Sequence, residues 1–236
     1  MGRTRALLQQ KSLWCVLSVN LFEDLPPEDL EELSRHTKNY RYRRGETIYF
    51  PGDPASTVYF LKRGRVKLVY LDASGRKLTL TICGPGQPFG ELDLEGRARH
   101  RLMAQALTDA ELCLISKGAL LEFASRRPHL SLRLTKWVDR QLREAQVRLE
   151  ELLFKDVPTR LARVLLRLAE EHGVETPEGR LIDLPLTHLE LAELIGATRE
   201  TTSLALSRFA KAGWIRRRRR RYLLLQPEAL RRRAGE

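Results

Sequence analysis

THLELAELIGATRETTSLALSRF, residues 187–209, is followed six residues later by six consecutive arginines, Arg216 to Arg221. Thr187 is placed to cap a helix, and Glu190 stands three residues on, which is capping-box spacing. Leu191, Leu194 and Ile195 give that helix an apolar stripe, and Gly196 stops it. Thr198 can cap a second helix with Thr202, Ala205, Leu206 and Phe209 on its buried side. That phase turns Arg199, Glu200, Ser203, Leu204 and Ser207 outward. Two short helices joined at a glycine form either a plain helical hairpin with a solvated face or a helix-turn-helix. In the second case the latter helix enters the major groove. Arg199 can then fork onto guanine, and Glu200 can accept from the exocyclic amine of cytosine.

The charge distribution favours the nucleic-acid reading. Residues 199–236 hold twelve Lys or Arg against three acids, so +9 of the chain's net +12 lies in its last 38 residues. Charge segregated in this way is the footprint of a polyanion partner, and arginines that neutralise phosphates add affinity without sequence information. An arginine run alone also suits a localisation tag or a disordered RNA-binding tail. Trp214 and Ile215 before the run and residues 222–225 after it read instead as strands around a basic turn, a folded wing. The expected DNA-contacting set is Thr187, Thr198, Arg199, Glu200, Thr201, Ser203, Leu204, Arg208 and the wing residues Arg216, Arg217, Arg218 and Arg219.

A chain of 236 residues suits one large domain or two modest ones, and 42% apolar with 31% charged content suits a water-soluble globular protein. No stretch reaches the length of a membrane span, and residues 1–10 lack the pattern of a signal peptide. Cys15, Cys83 and Cys113 are odd in number and far apart, which predicts a reducing cytoplasm rather than a disulfide framework. They lack iron–sulfur or zinc spacing, and the five histidines are scattered, so neither a metal nor a cofactor is expected. With no P-loop, dinucleotide fingerprint or nucleophile triad, an enzyme is not expected either.

The remaining chain predicts an α+β protein. A short helix over 21–34 is introduced by Pro26 and Pro27, and then β-rich runs at 47–50, 58–61, 66–71, 78–83 and 112–115 alternate with Gly-rich turns. That rhythm predicts a β-roll or jelly roll. A long helix over 130–153 carries Val138, Leu142, Ala145, Leu149 and Leu152 in steps of 4, 3, 4 and 3. Such a seam predicts a two-stranded coiled coil, or else an amphipathic helix packed on its own β domain. Residues 154–158 read as a hinge before a helix over 159–171.

A β-roll, a long dimerisation helix and a C-terminal winged helix-turn-helix, in that order, resemble the cyclic-AMP receptor/fumarate–nitrate regulator (CRP/FNR) superfamily. The carriers are Arg44-Gly45-Glu46-Thr47, Gly52-Asp53, Tyr59-Phe60-Leu61, Gly64, Phe89-Gly90-Glu91-Leu92, Phe154-Lys155-Asp156-Val157 and Thr198-Arg199-Glu200-Thr201-Thr202. The resemblance covers the chain from about Leu21 to Leu225 and implies an N-terminal extension at 1–20, a cyclic-nucleotide-binding-like domain at 21–128, a dimerisation helix at 129–154 and a DNA-binding domain at 155–236. It further implies a homodimeric transcription regulator, an activator, on palindromic DNA, in contact with RNA polymerase through Glu175 and Thr176. The other reading is a regulatory protein whose main function is cyclic-nucleotide binding in the β-roll.

Two departures from the family stand out. Leu204 occupies the place of the family's second base-reading arginine, so a thymine methyl or nothing is its expected partner, and the half-site differs from that of the cyclic-AMP receptor. The expected effector pocket comprises Gly90, Glu91, Leu92, Arg99, His100, Arg101, Ala145 and Gln146. His100 and Arg101 fall where nucleotide binders carry arginine and serine or threonine, and Ala145 and Gln146 replace the hydroxyl pair that reaches adenine. Dependence on cyclic AMP is therefore not expected. An iron–sulfur sensor of this family needs clustered N-terminal cysteines, and only Cys15 lies there.

Overall fold

The computed structural model describes residues 20–22, 25–91 and 99–235, in two compact units that part within a long helix after Arg143. Nearly all of the N-terminal extension, and Leu92 of the expected pocket, lie outside the described residues.

In the first unit, α1 (Pro27–Arg35) begins with Pro26 as N-cap and Pro27 in its first turn, where a missing N–H is harmless. Strands β1 (Thr37–Tyr42), β2 (Thr47–Tyr49), β3 (Thr57–Arg63), β4 (Val66–Leu71), β5 (Lys77–Cys83), β6 (Pro88–Phe89), β7 (Met103–Ala106) and β8 (Ala110–Ser116) follow. They make two four-stranded sheets, ordered β1-β8-β3-β6 and β2-β7-β4-β5. Helix α2 (Lys117–Ser125) and the long α3 (Pro128–Phe154) come next. Strand parity builds two cores at once. Val58 and Phe60 of β3, with Cys113 and Ile115 of β8, face Leu30, Leu33, Leu120, Phe123 and Leu130 of the helices. Their neighbours Tyr59, Leu61, Ala110 and Leu112 face Tyr49, Val66, Leu68 and Phe89 in the roll's interior. Each fully buried large side chain here contributes about 1.5–3 kcal/mol.

Strand β1 escapes sequence reading because it is an exposed edge whose residues 38–41 all face water, so it carries no apolar alternation. The turn from β3 to β4 requires glycine at 64. Its φ is +88°, and a Cβ there would lie 2.1 Å from the Asp109 carbonyl oxygen. Cys83 is free and buried, and Cys113 lies buried in β8.

Helix α3 starts by burying Leu130 and Leu134 in the first unit's core. Further along, Val138, Leu142 and Leu149 are 49%, 57% and 58% exposed, and Ala145 is exposed between them. Leu152, expected as the last rung, is only half-exposed; Leu153, 66% exposed, continues the stripe instead. A step of four rather than three is what a straight helix of 3.6 residues per turn takes to stay on one face.

In the second unit, Asp156 caps α4 (Val157–His172) by accepting from the Thr159 backbone N–H. Strands β9 (Gly173–Thr176) and β10 (Gly179–Ile182) lead to α5 (His188–Ile195) and α6 (Arg199–Lys211). Strands β11 (Ile215–Arg218) and β12 (Arg221–Leu224) follow, and α7 (Pro227–Ala234) ends the fold. The sheet order is β11-β12-β10-β9, so the wing has four strands, not the two that flank the arginines. Residues 174–179 form most of a hairpin, so that Glu175 and Thr176, the pair expected to meet RNA polymerase, lie inside β9. Helix α7 leaves little trace in the sequence: its Pro227 start and buried Ala229, Leu230 and Ala234 are short signals beside an arginine run.

Candidate nucleic-acid interface

The two helices of the expected motif form as their caps dictate. The Thr187 hydroxyl accepts from the Glu190 N–H at 3.1 Å, and the Glu190 carboxylate accepts from the Thr187 N–H at 2.6 Å, closing the capping box. Gly196 ends α5 in the left-handed region at φ +60°, and its N–H bonds the Ala192 carbonyl. Thr198 then accepts from the Thr201 N–H at 3.2 Å and starts α6. Capping uses a lone pair of each threonine hydroxyl, so the O–H remains able to donate to a phosphate oxygen.

On α6 the buried set is Thr202, Ala205, Leu206 and Phe209, as the phase requires. The Thr202 hydroxyl donates to the Thr198 carbonyl at 2.8 Å, which lets a polar side chain lie fully buried. Arg199, Glu200, Thr201, Leu204 and Arg208 are exposed together, Leu204 at 55%. Ser203 differs from the rest: it is half-buried and its hydroxyl is 2.7 Å from Nδ1 of His188. Nothing in the sequence marks His188 for this contact, because its spacing from Ser203 follows no helical or strand period.

Strand parity sorts the arginine run. Arg216 and Arg218 lie on one face of β11, where both meet Glu178 of the β9–β10 turn at 2.6 and 2.5 Å. Arg221 meets Asp183 at 2.9 Å. Arg217 lies on the other face, opposite Tyr222 in the ladder, and its positive field reaches both Tyr222 and His188. Arg219 sits at the hairpin tip with φ +56°, the one non-glycine residue at positive φ among the described residues. The wing arginines therefore differ in their surroundings: Arg216 and Arg218 share an internal carboxylate, whereas Arg217 has no ion pair among the described residues. Arg233 is also paired: its guanidinium reaches Asp156, the cap of α4, at 2.5 Å and Thr159 of α4 at 2.7 Å.

Glu178→Gln should strengthen binding to specific and scrambled duplexes alike, by roughly two- to fivefold, because exposed ion pairs of this kind are worth about 0–1 kcal/mol. The salt dependence should also steepen. Titration of both duplexes over a salt series checks this; unchanged affinity and slope would refute competition between Glu178 and phosphate.

The expected effector residues divide. Gly90 turns the backbone at φ +112°. Glu91 hydrogen-bonds Nδ1 of His100, and its other oxygen accepts from the Arg101 N–H at 2.9 Å. His100 is 2% exposed and stacks on Tyr49 with ring centroids 3.6 Å apart. Burial pushes the Glu91 carboxyl up, but the bonds from His100 and Arg101 outweigh it and hold the carboxyl below the usual range. Arg99 donates to the Gly52 carbonyl at 2.6 Å, and Arg99 and Arg101 are both exposed. Ala145 and Gln146 are exposed residues of the second unit. A cyclic phosphate needs a buried cation and free donors; here the buried position holds an imidazole already committed to a carboxylate. The pair expected for polymerase contact lies in β9, where Glu175 meets Arg180 at 3.0 Å and Thr176 donates to the Gly179 carbonyl at 2.5 Å.

Residues 159–233 match the model of the Crp-like helix-turn-helix domain, and residues 40–127 match that of the cyclic nucleotide-binding domain. The chain is 33% identical over 214 residues to a CRP-like cAMP-activated global transcriptional regulator of Mycobacterium tuberculosis, covering 91% of this chain and 96% of that protein. It is 32% identical to the global nitrogen regulator of Synechococcus elongatus, covering 80% and 86%. Among solved structures, a CRP-family transcriptional regulator from Thermus thermophilus aligns with a TM-score of 0.72 at 33% identity, covering 84% of this chain and 97% of that one. No helix among the described residues is long and apolar enough to cross a membrane.

Proposed function

Because this chain belongs to the CRP/FNR family of DNA-binding transcription regulators, we propose that it acts in the cytoplasm as a homodimer on a palindromic operator, without cyclic AMP. The observation that carries this is the outward row of Arg199, Glu200 and Leu204 on a helix whose opposite face is fully packed. Such a row presents a bidentate donor, an acceptor and an apolar contact to base edges. Thr187, Thr198 and Arg217 serve as phosphate anchors around it. The stripe Val138, Leu142, Ala145, Leu149 and Leu153 joins two copies, so that two recognition helices meet half-sites about one helical turn apart. The division of labour follows the expected boundaries: residues 21–128 an effector-type β-roll domain, 129–154 the dimer helix and 155–236 the DNA reader. Activation runs through RNA polymerase by way of the β9–β10 hairpin, with Glu175 and Thr176 on its first strand.

The M. tuberculosis relative is described as cAMP-activated; that dependence does not carry over, because the Glu91 carboxylate is already hydrogen-bonded to Nδ1 of His100 where the nucleotide's ribose would need it free. Selection of sites from a random duplex pool, run with and without cyclic AMP, should return one palindrome in both arms. Calorimetry with cyclic AMP should give no saturable binding at micromolar concentrations. Micromolar binding, or a palindrome recovered only with the nucleotide, would overturn the proposal of action without cyclic AMP. In vitro transcription on a promoter bearing the selected site should show activation, and repression there would overturn the activator role.

A further inference from the structure

We infer that His188 couples DNA binding to proton uptake, so that affinity for the operator rises as pH falls. His188 is the first residue of α5, beside the Thr187 cap. Its Nδ1 lies 2.7 Å from the hydroxyl of Ser203, on the recognition helix α6. One imidazole thus joins the first helix of the motif to the second, on the side where base-reading and phosphate-anchoring groups converge. Arg199 of α6 and Arg217 of β11 both act on it, and no carboxylate among the described residues is bonded to it. Glu190, the acid on its own helix, is held in the capping box by the Thr187 N–H. Tyr222 of β12, across the ladder from Arg217, stays protonated, its hydroxyl pushed up to about 12 mainly by burial.

In the free protein burial and two neighbouring guanidiniums disfavour the imidazolium. Burial holds the group below the ordinary histidine value, and the fields of Arg217 and Arg199 push it the same way. Phosphates brought to Arg217 and to the start of α5 reverse the sign of that field. The cation is then favoured in the complex and disfavoured outside it, so the complex binds the extra proton. Linkage fixes the direction: where the bound state holds more protons than the free state, lowering the pH strengthens binding. Ser203 steers the outcome as well, because an imidazole that donates from Nδ1 to the Ser203 oxygen leaves Nε2 as the position where the proton is gained.

The inference rests on the proposed DNA-reading function, and the test separates the two. Binding of the full-length protein to its selected operator and to a scrambled duplex is followed by fluorescence anisotropy from pH 8.0 to pH 5.5, at fixed ionic strength. Wild-type affinity for the operator should rise by about tenfold per protomer for each tenfold change in the linked protonation constant. His188→Gln, which keeps a hydrogen-bonding group but does not titrate here, should give a flat profile. His188→Arg, which is always charged, should also be flat but bind more tightly than His188→Gln at pH 8.0. A thermal melt of each variant establishes that it is folded. A flat wild-type profile, or an unchanged slope in His188→Gln, would overturn the inference. Equal affinity for operator and scrambled duplex at every pH would instead overturn the DNA-reading function itself.

Discussion

Replacing Leu142 and Leu149 together by glutamate is expected to leave the chain monomeric and to weaken operator binding by at least about a hundredfold. Both side chains are more than half exposed on α3, and neither belongs to a core cluster. The fold of one copy therefore loses little when they change. In a pair of copies, each apolar side chain along the stripe would be removed from water, at about 1.5–3 kcal/mol when fully buried. A carboxylate in the same place must be desolvated opposite its own symmetry mate, which is strongly unfavourable. The loss of DNA affinity follows from geometry, because a monomer engages one half-site and forfeits the gain from tethering the second. Sedimentation velocity and operator titration of the double variant check both parts. A variant that still sediments as a dimer would place the interface elsewhere, and a monomer that binds the palindrome as tightly as the parent would remove the need for one.

Arg199→Ala should cost roughly 1–3 kcal/mol at one base pair of each half-site, and it should do so selectively. Arg199 is the first residue of α6, exposed, with its backbone set by the Thr198 cap, so truncation removes the reading group and leaves the helix intact. On a duplex carrying guanine at the contacted position the variant should lose affinity; on duplexes with another base there, parent and variant should converge. Arg217→Ala should behave differently, weakening every duplex and flattening the salt dependence. Affinities for the four duplexes that differ at that position, measured for both variants, decide the matter. A uniform loss for Arg199→Ala across all four would end the distinction between a reading residue and an anchoring one.

Much of this architecture is legible from local pattern. The capping threonines, Gly196 and the apolar phase of residues 191–209 define the two helices of the motif, because each feature acts within one or two turns of the backbone. The same holds for the roll, whose turns and short apolar runs mark β2 to β5 and β8. Where local pattern is weak, reading fails for a physical reason. Strand β1 is a solvated edge without alternation, and β6 has two residues. Strand β9 looks like a loop because two of its four residues, Val174 and Glu175, face water and only its partner β10 holds it in place.

By itself the sequence determined the order of β-roll, long helix and winged motif, the caps of α5 and α6, the outward face of α6 and a histidine at position 100. Tertiary structure alone decided which charges are available. Glu178 reaches Arg216 and Arg218 from 38 and 40 residues away, Asp156 takes Arg233 from 77 away, His188 finds Ser203 across the motif, and Glu91 closes on His100. Periodicity assigns a side chain to a face of its own helix or strand. Which carboxylate or hydroxyl arrives at that face is set by the packing of a distant segment, and at hydrogen-bonding distance that neighbour fixes whether an arginine or a histidine is left for DNA.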